Sequence, residues 1–241
     1  MRLLTYNIHK GIGGRDRRYR FERIIEVIEH ENPDLMCLQE VVRHAPRVKN
    51  HNQPRLFSTY FRPAETLFQM NVHYQRGGYG NLLLSRWPFA SYHNIGLRKK
   101  EKKPRGAQLV VVDSPEGPFQ LINLHLGLAE PERHWQIEQL LAHRLYDEAA
   151  HLPTLIAGDT NDWRNTLIEG DLARHGYQLA SAPISRHRTF PAWLPVGALD
   201  KAFVKGGIDV KEVRVVKSKQ SRRASDHLPL VIDFHLKAGD P

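Results

Sequence analysis

The sequence predicts one mixed α/β domain: a sheet, or sheets, of mixed strand direction with helices outside. Three observations carry this. Short apolar runs recur along the chain as strand candidates, and a few stretches of helical spacing separate some of them. Neighbouring runs such as VVVDSPEGPFQL are joined tightly enough for a hairpin.

The strand candidates are 2–8, 34–39, 81–86, 107–113, 118–126, 153–158, 199–204, 210–217 and 228–236. Between the first two, RYRFERIIEVIEHEN sets Phe21, Ile24, Ile25 and Ile28 at helical spacing, with Pro33 past its end. A second helix is expected from about Pro131, with Ile137, Leu140, Leu141 and Leu145 on one face. A weaker third covers about 165–175 and stops at Gly176. No strong repeat, low-complexity linker or sharp composition break divides the chain, so residues 1–241 are expected to be one domain.

A domain of 241 residues buries roughly 70–75% of its unfolded surface, ample for a core. No apolar stretch approaches the ~20 residues that cross a bilayer, and MRLLTYNIHKG is too short and polar for a secretory signal. The single cysteine, Cys37, excludes an internal disulfide and reads as a core residue. A cytoplasmic monomer is expected. The net charge of +9 suits an anionic partner, nucleic acid or an anionic membrane surface. It concentrates in RKKEKKPR (98–105), SRHR (185–188) and KSKQSRR (217–223), which read as loops; plain solubility is the simpler meaning of such runs.

The chemistry lies at the ends of the apolar runs. LLTYN ends in Asn7, LMCLQE in Glu40, LINLH in His125 and LIAGD in Asp159, with Asn161 and Asp162 just beyond. LDKAFV begins a strand with Asp200, and SDH places Asp226 and His227 before the last one. If these ends meet on one rim, they form a site of carboxylates, amides and imidazoles. Such hard oxygen donors suit Mg²⁺ or Mn²⁺ better than zinc, and a cation would neutralise carboxylates that are costly to cluster. Each residue alone has a plainer role: a turn former, a helix cap, a surface acid or a bonded core histidine. The ordered set, each member at an apolar boundary, argues against all of these at once.

TYNIHKG, CLQE, NLHLG, AGDTND, LDKAFV and SDHLPL together resemble the successive motifs of the endonuclease/exonuclease/phosphatase superfamily, over residues 3 to about 234. The NIHKG start is similar to a bacterial branch of small stand-alone members. The resemblance implies a four-layered α/β sandwich like that of DNase I, two mixed sheets face to face with helices outside, and a Mg²⁺- or Mn²⁺-dependent phosphodiesterase. It implies Glu40 as the main metal ligand with Asn7 and Asp226 beside it, and Asp159 orienting or deprotonating the attacking water. It implies Asn161 and His125 on phosphoryl oxygens, and His227 held by Asp200. Arg105 is a phosphate clamp or one more member of a basic loop, Asn81 is structural or secondary to the site, Asp162 a turn or cap residue, and His9 a neighbour of the ligands.

Nucleic acid leads the expected substrates, with a phospholipid or phosphoinositide next and a catalytically silent binder last. The His in NLHLG disfavours an abasic-site enzyme. A calcineurin-like phosphatase would need an early Asp-x-His and a GNH, which the chain lacks. RTFPAWLP (188–195) mixes Arg188, Phe190 and Trp193 on a loop that could stack on a base, dip into lipid or simply pack.

Overall fold

The computed structural model describes residues 1–237. In chain order its elements are β1 (Arg2–Asn7), α1 (Phe21–Glu31), β2 (Leu35–Arg43), α2 (Gln53–Phe61), β3 (Glu65–His73), β4 (Gly78–Ser85), β5 (Phe89–Gly96), β6 (Gly106–Ser114) and β7 (Gly117–His125). There follow α3 (Glu130–Leu141), α4 (Arg144–Asp147), β8 (Thr154–Asp159), α5 (Asp171–Arg174), β9 (Gln178–Leu179), β10 (Asp200–Lys205), β11 (Ile208–Val215), α6 (Ser221–Ala224) and β12 (Leu230–Leu236).

The strands form two six-stranded sheets, ordered β11-β12-β1-β2-β4-β3 and β5-β6-β7-β8-β10-β9. Each is mixed: β1 runs parallel to β2, and β7 to β8, while the other pairs are antiparallel. Between the sheets lies a core to which both contribute, Leu3, Leu35, Cys37 and Leu83 from one and Val110, Phe119, Leu121 and Leu155 from the other. The outer face of the first sheet packs on α1 and α2 through Ile24, Ile28 and Phe57. The outer face of the second packs on α3, α4 and α5 through Ile137, Leu140, Tyr146 and Leu172. This is the expected four-layered sandwich.

Local chemistry sets the helix ends. In α1, Phe21, Ile24, Ile25 and Ile28 are all buried, and Asn32 closes the helix in a left-handed turn, its N–H donating to the carbonyls of Ile28 and Glu29. The Asn52 side chain caps α2 by accepting from Arg55 N at 3.2 Å.

Several expectations need correction. The expected second helix is broken, because α3 stops at Leu141 and Leu145 lies in the separate α4. The expected third helix is a 3-10 turn at Thr166–Ile168 followed by the single turn of α5. Helix α2 and strands β3, β5 and β9 had no sequence signal. Strands β3 and β5 lie at sheet edges, β3 largely half-exposed and β5 largely exposed, so neither shows a clean apolar run.

Candidate active site

One rung of the second sheet crosses four strands: Gly106 faces His125, His125 faces Asp159, and Asp159 faces Asp200. Gly158 makes that rung possible, because a Cβ there would collide with the Leu124 carbonyl on β7. The first sheet brings Asn7 from the end of β1, Glu40 from a bulge in β2, and Asp226 and His227 from the segment before β12. Glu40 is not at a strand end, as expected, but inside β2. There the pairing with β4 shifts between Leu38 and Val41, and Glu40 takes a left-handed φ of 57°.

Asp159 is the hub. Its Oδ2 accepts from Asn7 Nδ2 at 2.8 Å and lies 3.3 Å from His125 Nε2 and 3.7 Å from His227 Nε2. Its Oδ1 accepts the backbone N–H of Asn161 at 3.0 Å. Burial pushes the Asp159 carboxyl up to about 6, even against His227 and these hydrogen bonds. His227 Nδ1 donates to Asp200 Oδ2 at 2.8 Å. Burial alone would lower the imidazole, but Asp200 and Asp159 overcome it and raise it to about 10. The pair of aspartates thus favours the imidazolium form of His227, while burial lets Asp159 hold a proton more readily than an ordinary carboxyl. His125 is the opposite case. Burial, reinforced by Arg105, holds it well below the usual histidine value, so its neutral ring accepts from Arg105 at Nδ1 (3.2 Å) and turns Nε2–H to Asp159.

The remaining carboxylates meet the basic side chains of the first loop. Lys10 Nζ bonds Glu40 Oε2, and His9 Nδ1 lies 3.6 Å from Asp226 Oδ2. Lys10 and His9 both belong to NIHKG and both sit at positive φ, a turn that points one at each acid. Burial raises the Glu40 carboxyl, but Lys10 and His9 outweigh it and the net shift is downward. Arg105 is buried at 6% exposure and forms no ion pair among the described residues; its Nε has no hydrogen-bond partner. Asp200 Oδ1 is likewise buried without a partner.

The expected residues thus share one rim, in two groups: Asn7, His125, Asp159, Asn161, Asp200, His227 and Arg105 about the hub, and Glu40 and Asp226 against Lys10 and His9. Asn7 and Asn161 are already engaged. Asn7 Oδ1 accepts from His9 N at 3.0 Å, and Asn161 Nδ2 donates to the Leu126 carbonyl at 3.0 Å. Asn81 Nδ2 donates to the Gly106 carbonyl at 2.9 Å, a brace between the sheets. The oxygen-rich set fits a divalent cation. Glu40 bonds the Lys10 ammonium, and Asp200 leaves an oxygen unpaired. Asp159, Asp200 and His227 offer ligand atoms within 4.8 Å of one another and could also hold a metal ion.

The sequence did not reveal Lys201. Its side chain is 1% exposed, and Nζ donates to the carbonyls of Asp162 (2.8 Å) and Ala198 (2.7 Å) and to Thr160 Oγ1 (3.3 Å). Burial lowers its pKa to about 8. Arg133 Nη2, 3.5 Å from Asp162 Oδ1, joins the same network. Asp162, expected to cap, also accepts from the N–H groups of Thr166 and Leu167. Together they pin the loop that follows Asp159.

The family model described as "Endonuclease/Exonuclease/phosphatase family" matches residues 4–227. The chain belongs to this family. Members are hydrolases acting on phosphoester bonds, typically with a divalent metal. The chain is similar to the uncharacterized protein YbhP of Escherichia coli, 29% identical over 248 residues, covering 98% of this chain and 96% of that protein. A DNA-(apurinic or apyrimidinic site) endonuclease of Dictyostelium discoideum is 24% identical over 183 residues, 73% of this chain and 46% of that one. In fold, the chain matches an endonuclease/exonuclease/phosphatase from Beutenbergia cavernae with a TM-score of 0.78 at 24% identity, covering 99% of this chain and 72% of that one.

Proposed function

We propose that this protein is a Mg²⁺- or Mn²⁺-dependent phosphodiesterase. One observation carries the reading. A buried guanidinium without a carboxylate, Arg105, shares a rim with a cluster of carboxylates, so the site calls for an anion and a cation together. A metal-bound phosphodiester meets both demands.

Glu40, Asn7 and Asp226 would hold the ion. When bound, it neutralises phosphoryl charge and stabilises the leaving oxygen. Asp159, raised to about 6, is suited to take a proton from water at neutral pH. His227, fixed through Nδ1 by Asp200, presents a positive Nε2 toward the same oxygen of Asp159. Arg105 supplies donors for the phosphoryl oxygens, Asn161 adds its amide, and His125 positions the Arg105 guanidinium through Nδ1. Charge alone ranks nucleic acid first among large substrates and anionic phospholipid second.

The test is hydrolysis of bis(4-nitrophenyl) phosphate with Mg²⁺, Mn²⁺ or EDTA, beside single- and double-stranded DNA, RNA, an abasic duplex and phospholipid vesicles. Metal-dependent release of nitrophenol supports the reading. Full activity in excess EDTA overturns the metal, and cleavage of phosphomonoesters alone overturns the phosphodiester.

A further inference from the structure

Nine large hydrophobic side chains are exposed among the described residues, and five of them gather on the loops around the candidate site. Leu128 (72% exposed) follows His125, Trp163 (52%) follows Asp159 and Asn161, and Trp193 (44%), Leu194 (65%) and Val196 (55%) precede Asp200. They are linked. Residues 191–196 form a loop closed by the Phe190–Gly197 bridge, and the Trp163 ring lies over Gly197, where a Cβ would come within 2.7 Å of it. Trp163 meets the Phe190 ring edge-on at 5.8 Å, and Phe190 lies 4.9 Å from the His227 ring. Arg133 ties Leu128 to this group, donating to the Leu128 carbonyl at 2.7 Å and approaching Asp162, the neighbour of Trp163.

We propose that this apolar crown docks the protein onto the surface of an anionic phospholipid bilayer, with the candidate active site beside the headgroups. The proposal rests on the phosphodiesterase reading and names where its substrate is met. Side-chain chemistry selects the lipid. Aromatic rings alone could stack on bases, but the three most exposed members are aliphatic, and leucine and valine gain nothing from a phosphate backbone while gaining from an acyl boundary. Tryptophan with flanking arginine is the composition that favours a membrane interface. Arg164, Arg188 and Arg223 are exposed around the crown, and Arg222 Nη1 donates to the Trp193 carbonyl at 3.3 Å. Arg188, Arg222 and Arg223 have no ion pair among the described residues, so an anionic surface complements them. The Phe190 ring joins the crown to His227, which places a headgroup phosphate next to the rim. The aliphatic tips thus reverse the substrate order that charge alone suggests.

The experiment measures binding without turnover, in EDTA, to vesicles of equal phosphatidylglycerol and phosphatidylcholine and to vesicles of phosphatidylcholine alone. The full chain should bind the anionic vesicles, and brominated lipid should quench its tryptophan emission. Leu194→Asp with Val196→Asp should weaken that binding at least about tenfold, since each change exchanges interfacial apolar area for a repelled charge. A thermal melt checks that the variant is folded, and the quenching of the unaltered protein does not depend on that variant. Absence of vesicle binding by the unaltered protein overturns the proposal, as does binding of single-stranded DNA in its place. Equal binding by a folded double variant also overturns it, leaving charge as the sole attraction. Because no hydrolysis is read, loss of the phosphodiesterase reading would be seen separately.

Discussion

Asp200→Asn replaces a buried carboxylate by a neutral group of the same shape, 2.8 Å from His227 Nδ1. The amide oxygen can still accept the Nδ1–H, so geometry is retained and the charge is lost. A pair of unit charges about 4 Å apart is worth about 4 kcal/mol at an effective dielectric of about 20, or about three pKa units. Burial already pushes the imidazole down, and Asp200 is the largest charge holding it up. The metal-free variant should therefore titrate near ~7, against about 10 in the unaltered protein. NMR titration of the His227 ring proton reads this directly. Stability should follow. Folding holds the His227 proton more tightly than the unfolded chain does, so its contribution is complete below the ordinary histidine value and fades as pH rises through about 10. In Asp200→Asn that fading should come at lower pH. A midpoint within about one unit of the original would refute the Asp200 assignment and leave Asp159 as the dominant charge.

Four further outcomes are expected. Glu40→Gln should weaken Mn²⁺ affinity by at least about tenfold, of the order seen when metal-site groups are altered, with little change in the thermal midpoint; calorimetric titration checks both. His227→Ala should lower turnover at least ~10²-fold, the scale of a positioned acid–base group. Combined with Asp200→Asn, it should cost less than the sum of the two. Arg105→Met should raise KM for a diester and also raise thermal stability, because a buried guanidinium without a counter-charge is removed. Between pH 7 and 10, the unaltered protein should lose more stability than His227→Gln, the difference isolating the raised imidazole from every other titrating group.

The layers and the rim were legible because they rest on patterns a sequence displays. Buried central strands read as apolar runs, and the site hangs on their ends, as Asn7, His125 and Asp159 illustrate. Glu40 escaped correct placement because nothing in VVR after it marks a bulge. The edge strands β3 and β5 escaped because exposed and half-exposed strands mix polar and apolar residues. Lys201 was hidden for another reason. A lysine in an apolar strand reads as solvent-facing, and only the folded loops reveal three oxygens around its ammonium. The crown had its members in view, Phe190 and Trp193 among them, but its extent depends on Trp163 and Leu128, which are distant in the chain.

The rung joining His125, Asp159 and Asp200 has a consequence for descent. These groups are spaced by a hydrogen-bond ladder, not by the loops that leave the strands beside them. Loops can lengthen, shorten or trade composition without altering that spacing. A lineage built on such a rung is free to change what it grips, whether a base, a sugar or an acyl chain, through insertions at its edge. The spacing of the three groups is passed on intact, because any slip in register that disturbed it would also unpair the sheet.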